Sequence, residues 1–128
     1  MEISIGTKGH AESYVDKDDT AREVGSGDLL VYATPCMIAM MESAACESIA
    51  PFLDEGQSSV GVSMNVTHEA ATPVGMEVRA ESEVTAVEGR KVTFRVAAYD
   101  EAGLIGQGTH TRVIIAAERF LEKTYAKL

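Results

Sequence analysis

No stretch of this 128-residue sequence stays apolar for the ~20 residues that a membrane span requires. The longest apolar-leaning run, Tyr32 to Ala50, is interrupted by Glu42 and Glu47, and the opening Met1-Glu2 is acidic, unlike a signal peptide. No membrane is expected as a partner. Basic residues are scarce as well: 11 Lys and Arg against 20 Asp and Glu leave a formal charge of −9. A surface that negative repels phosphate backbones, which removes nucleic acid from the expected partners but allows one small anionic ligand on a local basic cluster. There are only two cysteines, Cys36 and Cys46, ten residues apart inside one predicted helix. A rise of about 1.5 Å per residue separates them by about 15 Å, too far for a disulfide. Reduced thiols in a chain of this composition point to a soluble cytoplasmic protein. Their spacing is no zinc pattern either, and His68-Glu69-Ala70-Ala71-Thr72 lacks the second histidine of a zinc-protease helix. Neither a Gly-rich phosphate loop nor a G-x-S-x-G elbow occurs, so neither a metal nor a separate cofactor is expected.

What is present is a packable chain. Hydrophobic residues make up 45%, enough for one core, and the length fits a single domain over 1–128. Residues 8–15 read as a first strand, and the polar, Gly-containing segment 16–29 as a loop. Thr34-Pro35 looks like a helix start, with Thr34 near the N-cap and Pro35 in the first turn. The helix then runs over 36–50 and stops at Pro51. Met37, Ile38, Met40, Met41, Ala44, Ala45, Cys46 and Ile49 surround its axis, with Ser43 and Glu47 as a narrow polar stripe, so the helix should be wrapped by the rest of the fold. From Ser58 the period changes to two. Val60, Val62, Met64 and Val66 form one row, and similar rows predict strands over 58–67, 75–87, 91–99 and 104–115. Glu88-Gly89 and Asp100-Glu101-Ala102-Gly103 are hairpin signals. Phe120, Leu121 and Tyr125 belong to a short charged tail with helical character. One strand, one apolar helix and four consecutive antiparallel strands make an α+β order, a single sheet around a buried helix.

Four positions stand out chemically. Glu42 has Ile38, Ala39, Ala45 and Cys46 as its helical neighbours and no charge partner among them. Burying a lone carboxylate is costly, so it needs a distant partner, a raised pKa or a watered cavity; otherwise it lies on a solvated helix edge. His68 extends the row Val60-Val62-Met64-Val66 to a strand end, as a proton carrier or as a hydrogen-bonded rim histidine. Thr34 is either a reacting hydroxyl or a plain helix cap. Gly61 breaks a good strand, which marks a bulge or a close approach of a ligand to the backbone. Cys36, set among methionines, is read as an inert thiol rather than a nucleophile.

Several segments together resemble the fluoroacetyl-CoA thioesterase family of hot-dog proteins: Ala33-Thr34-Pro35, Met41-Glu42-Ser43-Ala44-Ala45, Val60-Gly61, Val66 to Gly75, Val87-Glu88-Gly89-Arg90 and Ile105 to Arg112. The likeness covers roughly residues 30–115, and the intervals Thr34–Glu42 (8) and Glu42–His68 (26) match together. It implies a hot-dog fold and a catalytic set of Thr34, Glu42 and His68. It also implies a backbone N–H at Gly61 beside the thioester carbonyl, and Arg112 as a basic position on the coenzyme A side of the pocket. Hot-dog thioesterases are at least dimeric with interfacial sites, so a homodimer or dimer-based tetramer is expected, with His68 serving a site completed by the partner's helix. In the family's fluoroacetyl-specific enzyme an aromatic-bearing segment ahead of the helix shields the pocket. Here residues 16–31 hold no aromatic side chain and Tyr32 is the nearest.

The expected activity is hydrolysis of a small or short acyl-CoA, with coenzyme A entering only as part of the substrate. The chemistry fits: a carboxylate to attack or to position water, an imidazole to manage a proton, and donors for the oxyanion. A non-catalytic acyl-CoA-binding hot-dog module and an enoyl-CoA hydratase are the alternatives. A binder has no use for an isolated Glu42, and the Asp/His pair more typical of a hydratase is not evident.

Overall fold

The computed structural model describes residues 2–128. Its elements run β1 (Lys8–Tyr14), α1 (Ala21–Val24), α2 (Thr34–Ile49), β2 (Gln57–His68), β3 (Glu77–Glu88), β4 (Lys91–Asp100), β5 (Gly103–Ala116) and α3 (Ala117–Tyr125). The strands form one antiparallel sheet in the order β1-β3-β4-β5-β2. This is the hot-dog arrangement, with α2 as the central helix. Met37, Met41, Ala44, Ala45 and Ile49 of α2 are fully buried, as are Ala80, Val84, Val92, Phe94 and Ala98 from the inner face of β3 and β4. Alternation along each strand and helical spacing along α2 direct these side chains into one core. No helix among the described residues is long and apolar enough to cross a membrane, and Cys36 and Cys46 are both free thiols.

Three expectations need correction. The helix is not enclosed on all sides: Pro35, Ala39, Ser43 and Glu47 form an exposed stripe at four-residue spacing. A five-stranded sheet covers one side of a helix, and the small residues Ala39 and Ser43 add little apolar surface to the open side. The segment 16–29 is not plain loop. A 3₁₀ turn over Lys17–Asp19 leads into α1, because Asp16 and Asp19 form a reciprocal capping box and Thr20 accepts from the Glu23 N–H. The third correction is the row on β2. Gly61 lies opposite Arg112 and Ser63 opposite Thr111, which makes Val62 the extra residue of a β-bulge. The bulge switches parity: Ser59 and Gly61 face inward before it, Met64, Val66 and His68 after it, and Val62 is 56% exposed.

Candidate active site

The N-terminus of α2 sets the first part of the site. Ala33 is the N-cap residue and makes no side-chain cap; Thr34 and Pro35 occupy the first two helical positions. Thr34 is therefore no cap, which removes one of its two sequence readings, and its hydroxyl is available elsewhere. It shares a hydrogen bond of 2.7 Å with Nδ1 of His68, at the end of β2. The other ring nitrogen, Nε2, is buried with no protein partner. Burial lowers the His68 pKa below the ordinary imidazole value, with a backbone contact at Ala70 opposing in part, so the ring is neutral near pH 7. A hollow of about 230 Å³ lies over this pair, lined by Ala21, Ser26, Ala70 and Ala71 together with Val31 and Glu69. Tyr32 also lines it but is 5% exposed, and its hydroxyl is directed at the Met40 sulfur, so it forms no cover.

Glu42 lies eight residues further along α2, about 12 Å up the axis, with Ile38 between. Its charge partner comes from β5: Arg112 Nη1 is 3.4 Å from Glu42 Oε2. The Arg112 side chain is 8% exposed against 43% for that of Glu42, so a nearly buried guanidinium steadies a carboxylate that still reaches solvent. Arg112 is itself fixed. Nε donates to Ser59 Oγ at 2.9 Å, Nη2 to the Ser59 carbonyl at 3.1 Å, and Nη1 to His110 Nε2 at 3.2 Å. Because the Ser63 carbonyl 2.8 Å from His110 Nδ1 can only accept, Nδ1 carries the proton and Nε2 is free to accept from Arg112. Burial lowers the His110 pKa and Arg112 lowers it further, with the Ser63 carbonyl and Glu42 opposing.

Gly61 completes this second group. A Cβ there would overlap Glu42 Oε2, lie 3.1 Å from His110 Cε1 and sit 3.4 Å from Arg112 Nη1. The bulge and the missing side chain together let the carboxylate rest on the strand backbone.

Thus the chain brings Thr34 to His68, and Glu42 to Gly61 and Arg112, as two groups on one flank of α2. Sequence reasoning missed His110 and Ser59. His110 and Arg112 are two residues apart on one strand, which places them on the same face, and that spacing was the available signal. Ser59 carried none, because the bulge hides its inward parity. Among the described residues no group of three or more His, Cys, Asp or Glu side chains converges as a metal would need. An anchored carboxylate, a hydroxyl–imidazole pair and an approachable strand backbone are the parts of an acyl-transfer site.

The family model for fluoroacetyl-CoA-specific thioesterase matches residues 15–118 of this chain. A fluoroacetyl-CoA thioesterase from Streptantibioticus cattleyicolor is 43% identical over 97 residues, spanning 76% of this chain and 70% of that protein. A crystal structure of the fluoroacetyl-CoA thioesterase FlK superposes with a TM-score of 0.94 at 34% identity, covering 100% of this chain and 99% of that one. A thioesterase superfamily member from Thermus thermophilus superposes with a TM-score of 0.89 at 35% identity, over 98% and 93% of the two chains.

Proposed function

The chain belongs to the fluoroacetyl-CoA-specific thioesterase family, and we propose that it hydrolyses the thioester of a small acyl-CoA using Thr34, Glu42 and His68. It is an acyl-CoA thioesterase; the residues and the acyl group are the proposal. The observation that carries it is the Glu42 carboxylate, held by Arg112 against Gly61 yet open to solvent. A group buried for stability alone would be closed off.

In this reading the thioester carbonyl lies against the backbone at Gly61, whose N–H meets the developing oxyanion. Glu42 either attacks the carbonyl carbon or holds the attacking water; both routes break the C–S bond and release coenzyme A as the thiol. They part at a Glu42 acyl anhydride, and label found in the Glu42 carboxylate after a single turnover in ¹⁸O-water establishes it, through water opening the anhydride at the Glu42 carbonyl. His68, neutral and bonded to Thr34, accepts and returns the proton. The guanidinium of Arg112 is committed to Ser59, His110 and Glu42, so we assign it to positioning Glu42 and not to the phosphates of coenzyme A. No cofactor beyond the substrate's own coenzyme A is required.

Within one chain Thr34 and His68 stand about two turns of helix from Glu42. We place the complete site at the interface of a homodimer or dimer-based tetramer. Strand β2 is a sheet edge with unpaired backbone groups, and the open stripe of α2 lies on the flank that a second copy would cover. Sedimentation as a stable monomer at micromolar concentration would overturn this assembly. The two free thiols agree with a cytoplasmic setting.

Thiol release measured over an acyl-CoA panel from acetyl to long-chain and aryl tests the activity. Glu42→Gln and His68→Ala are each expected to lose about 10²–10⁴-fold while remaining folded. Full activity in both variants would overturn the site and favour a binding module. Hydration of an enoyl-CoA without thiol release would favour the hydratase.

A further inference from the structure

His110 is 1% exposed, and no step of the hydrolysis uses it. It stands on the inner face of β5, two residues before Arg112, and both neighbouring strands pack on its ring. From β4, Phe94 stacks on it with ring centroids 5.9 Å apart and planes 25° from parallel. From β2, the Ser63 carbonyl accepts the Nδ1 proton, and the ring edge lies close enough to Gly61 that a Cβ there would be 3.1 Å from Cε1. Nε2 keeps its lone pair and faces Arg112. Nη1 of Arg112 therefore lies between two acceptors, His110 Nε2 at 3.2 Å and Glu42 Oε2 at 3.4 Å. The remaining donors in use, Nε and Nη2, are both spent on Ser59. Nη1 carries two N–H bonds in the plane of the guanidinium, so directing one at His110 aims the other at Glu42.

We infer that His110 is a positioning residue of this site: its unprotonated Nε2 aims Arg112 Nη1, and through Arg112 it holds the Glu42 carboxylate against Gly61. The inference rests on the reading of Glu42 as the reacting carboxylate and adds a residue that never touches the substrate. His110 has to stay neutral for this. A proton on Nε2 would set donor against donor and cation against cation across 3.2 Å, and Arg112 would leave its place. Among the described residues, the charged groups facing the ring are Arg112 from β5 itself and Glu42 from α2. Phe94 of β4 and Gly61, Ser63 and Met64 of β2 bring none. Burial and Arg112 keep the ring neutral near pH 7, against the opposing pull of the Ser63 carbonyl and Glu42. The ring thus ties the strand at Gly61 and the anchor of Glu42 to a single protonation state.

The test uses His110→Gln and His110→Leu in the full chain. A glutamine amide offers one donor and one acceptor, as neutral imidazole does, and does not titrate; leucine fills space and offers neither. On the best acyl-CoA of the panel, His110→Leu is expected to lower kcat by about 10–100-fold with KM nearly constant, since a misplacement of about 1 Å costs on the order of 10²-fold. His110→Gln should recover most of that loss. In a Glu42→Gln background His110→Leu should cost little more, whereas a merely structural loss would add in full. A second reading needs no substrate: the ¹⁵N–¹H signal of Arg112 Nε, identified by its absence in Arg112→Lys. At pH 7 it should be sharp in wild type and His110→Gln and broadened in His110→Leu; on acidification it should broaden in wild type but not in His110→Gln. Should His110→Leu not fold, this acid comparison carries the test. An equal loss from His110→Leu in both backgrounds, or an Arg112 signal indifferent to residue 110 and its proton, would overturn the inference. Full activity in Glu42→Gln would refute the reading of Glu42 instead, and the Arg112 signal then decides by itself whether His110 aims the guanidinium.

Discussion

The hydroxyl of Thr34, at the first position of α2, lies 2.7 Å from Nδ1 of His68 on β2 and makes no cap for its own helix. A residue type that usually closes a helix end is instead joined to the end of a strand 34 residues away. The pair explains how an exposed threonine can matter without being structural.

Thr34→Ala is therefore expected to lower kcat/KM sharply with a melting shift smaller than a lost cap produces, and Thr34→Ser to retain most activity. Thr20→Ala is the contrast. Thr20 is fully buried, donates to the Lys17 carbonyl and caps α1, so its loss should cost about 1–2 kcal/mol. Kinetics and thermal melts on the three variants check the division.

Gly61→Ala probes the second group. The backbone angles of Gly61 are not in the left-handed region, so alanine is permitted there. Its methyl would nevertheless displace the Glu42 carboxylate and press on His110. Activity should fall at least tenfold, since an approximately 1 Å misplacement of a reacting group already costs about 10²-fold. Val62→Thr, on the exposed bulge residue, should be near neutral. Equal activity in the two variants would show that Glu42 has no fixed seat on the strand.

The pH dependence has a definite sign. His68 and His110 both have lowered pKa values, chiefly from burial. A lowered folded-state pKa stabilises the fold above the unfolded value of about 6.5, and that contribution is lost as pH falls below it toward the folded values. Melting temperature should thus decline on acidification from pH 7, less so in His110→Asn. Catalysis needs neutral His68, so the acidic limb of kcat/KM should lie below the ordinary imidazole range. A limb above 6.5 would contradict the assignment.

Selectivity is expected to be weak. The hollow over Thr34 and His68 is lined by Ala21, Ser26, Val31, Glu69, Ala70, Ala71 and one aromatic, Tyr32, whose hydroxyl is turned to Met40, and no aromatic side chain in residues 16–31 closes it. A one-fluorine difference in an apolar site is worth about 1–3 kcal/mol, or roughly 10–200-fold. The ratio of kcat/KM for fluoroacetyl-CoA over acetyl-CoA should be at or below the low end of that range, and at least one larger acyl-CoA should react faster than either. A fluoroacetyl preference beyond about a thousandfold would show that another group does the work of a lid.

Strand alternation was legible in the sequence, and short capped turns and cross-strand chemistry were not. Period-two rows marked β2 to β5 within a residue or two of their ends, because alternation is a property of each strand alone. Asp16 and Thr20 capped turns inside a segment read as loop, since caps act over three residues and no hydrophobic period announces them. Glu42 drew notice as a carboxylate without a local partner. Its partner, Arg112, is 70 residues away and reaches it only because β5 lies beside β2 in the sheet.

The sequence by itself determined the order of the strands and of the central helix α2, which depends on spacing along the chain. Tertiary structure decided which side chains meet. The bulge at Val62 turned Ser59 and Gly61 toward Arg112, and the β2–β5 register set Gly61 opposite it. The position of Thr34 past the cap released its hydroxyl to His68. Such pairings depend on a one-residue register shift that reverses every inward side chain on its strand, and only the pairing of β2 with β5 in the folded sheet selects it.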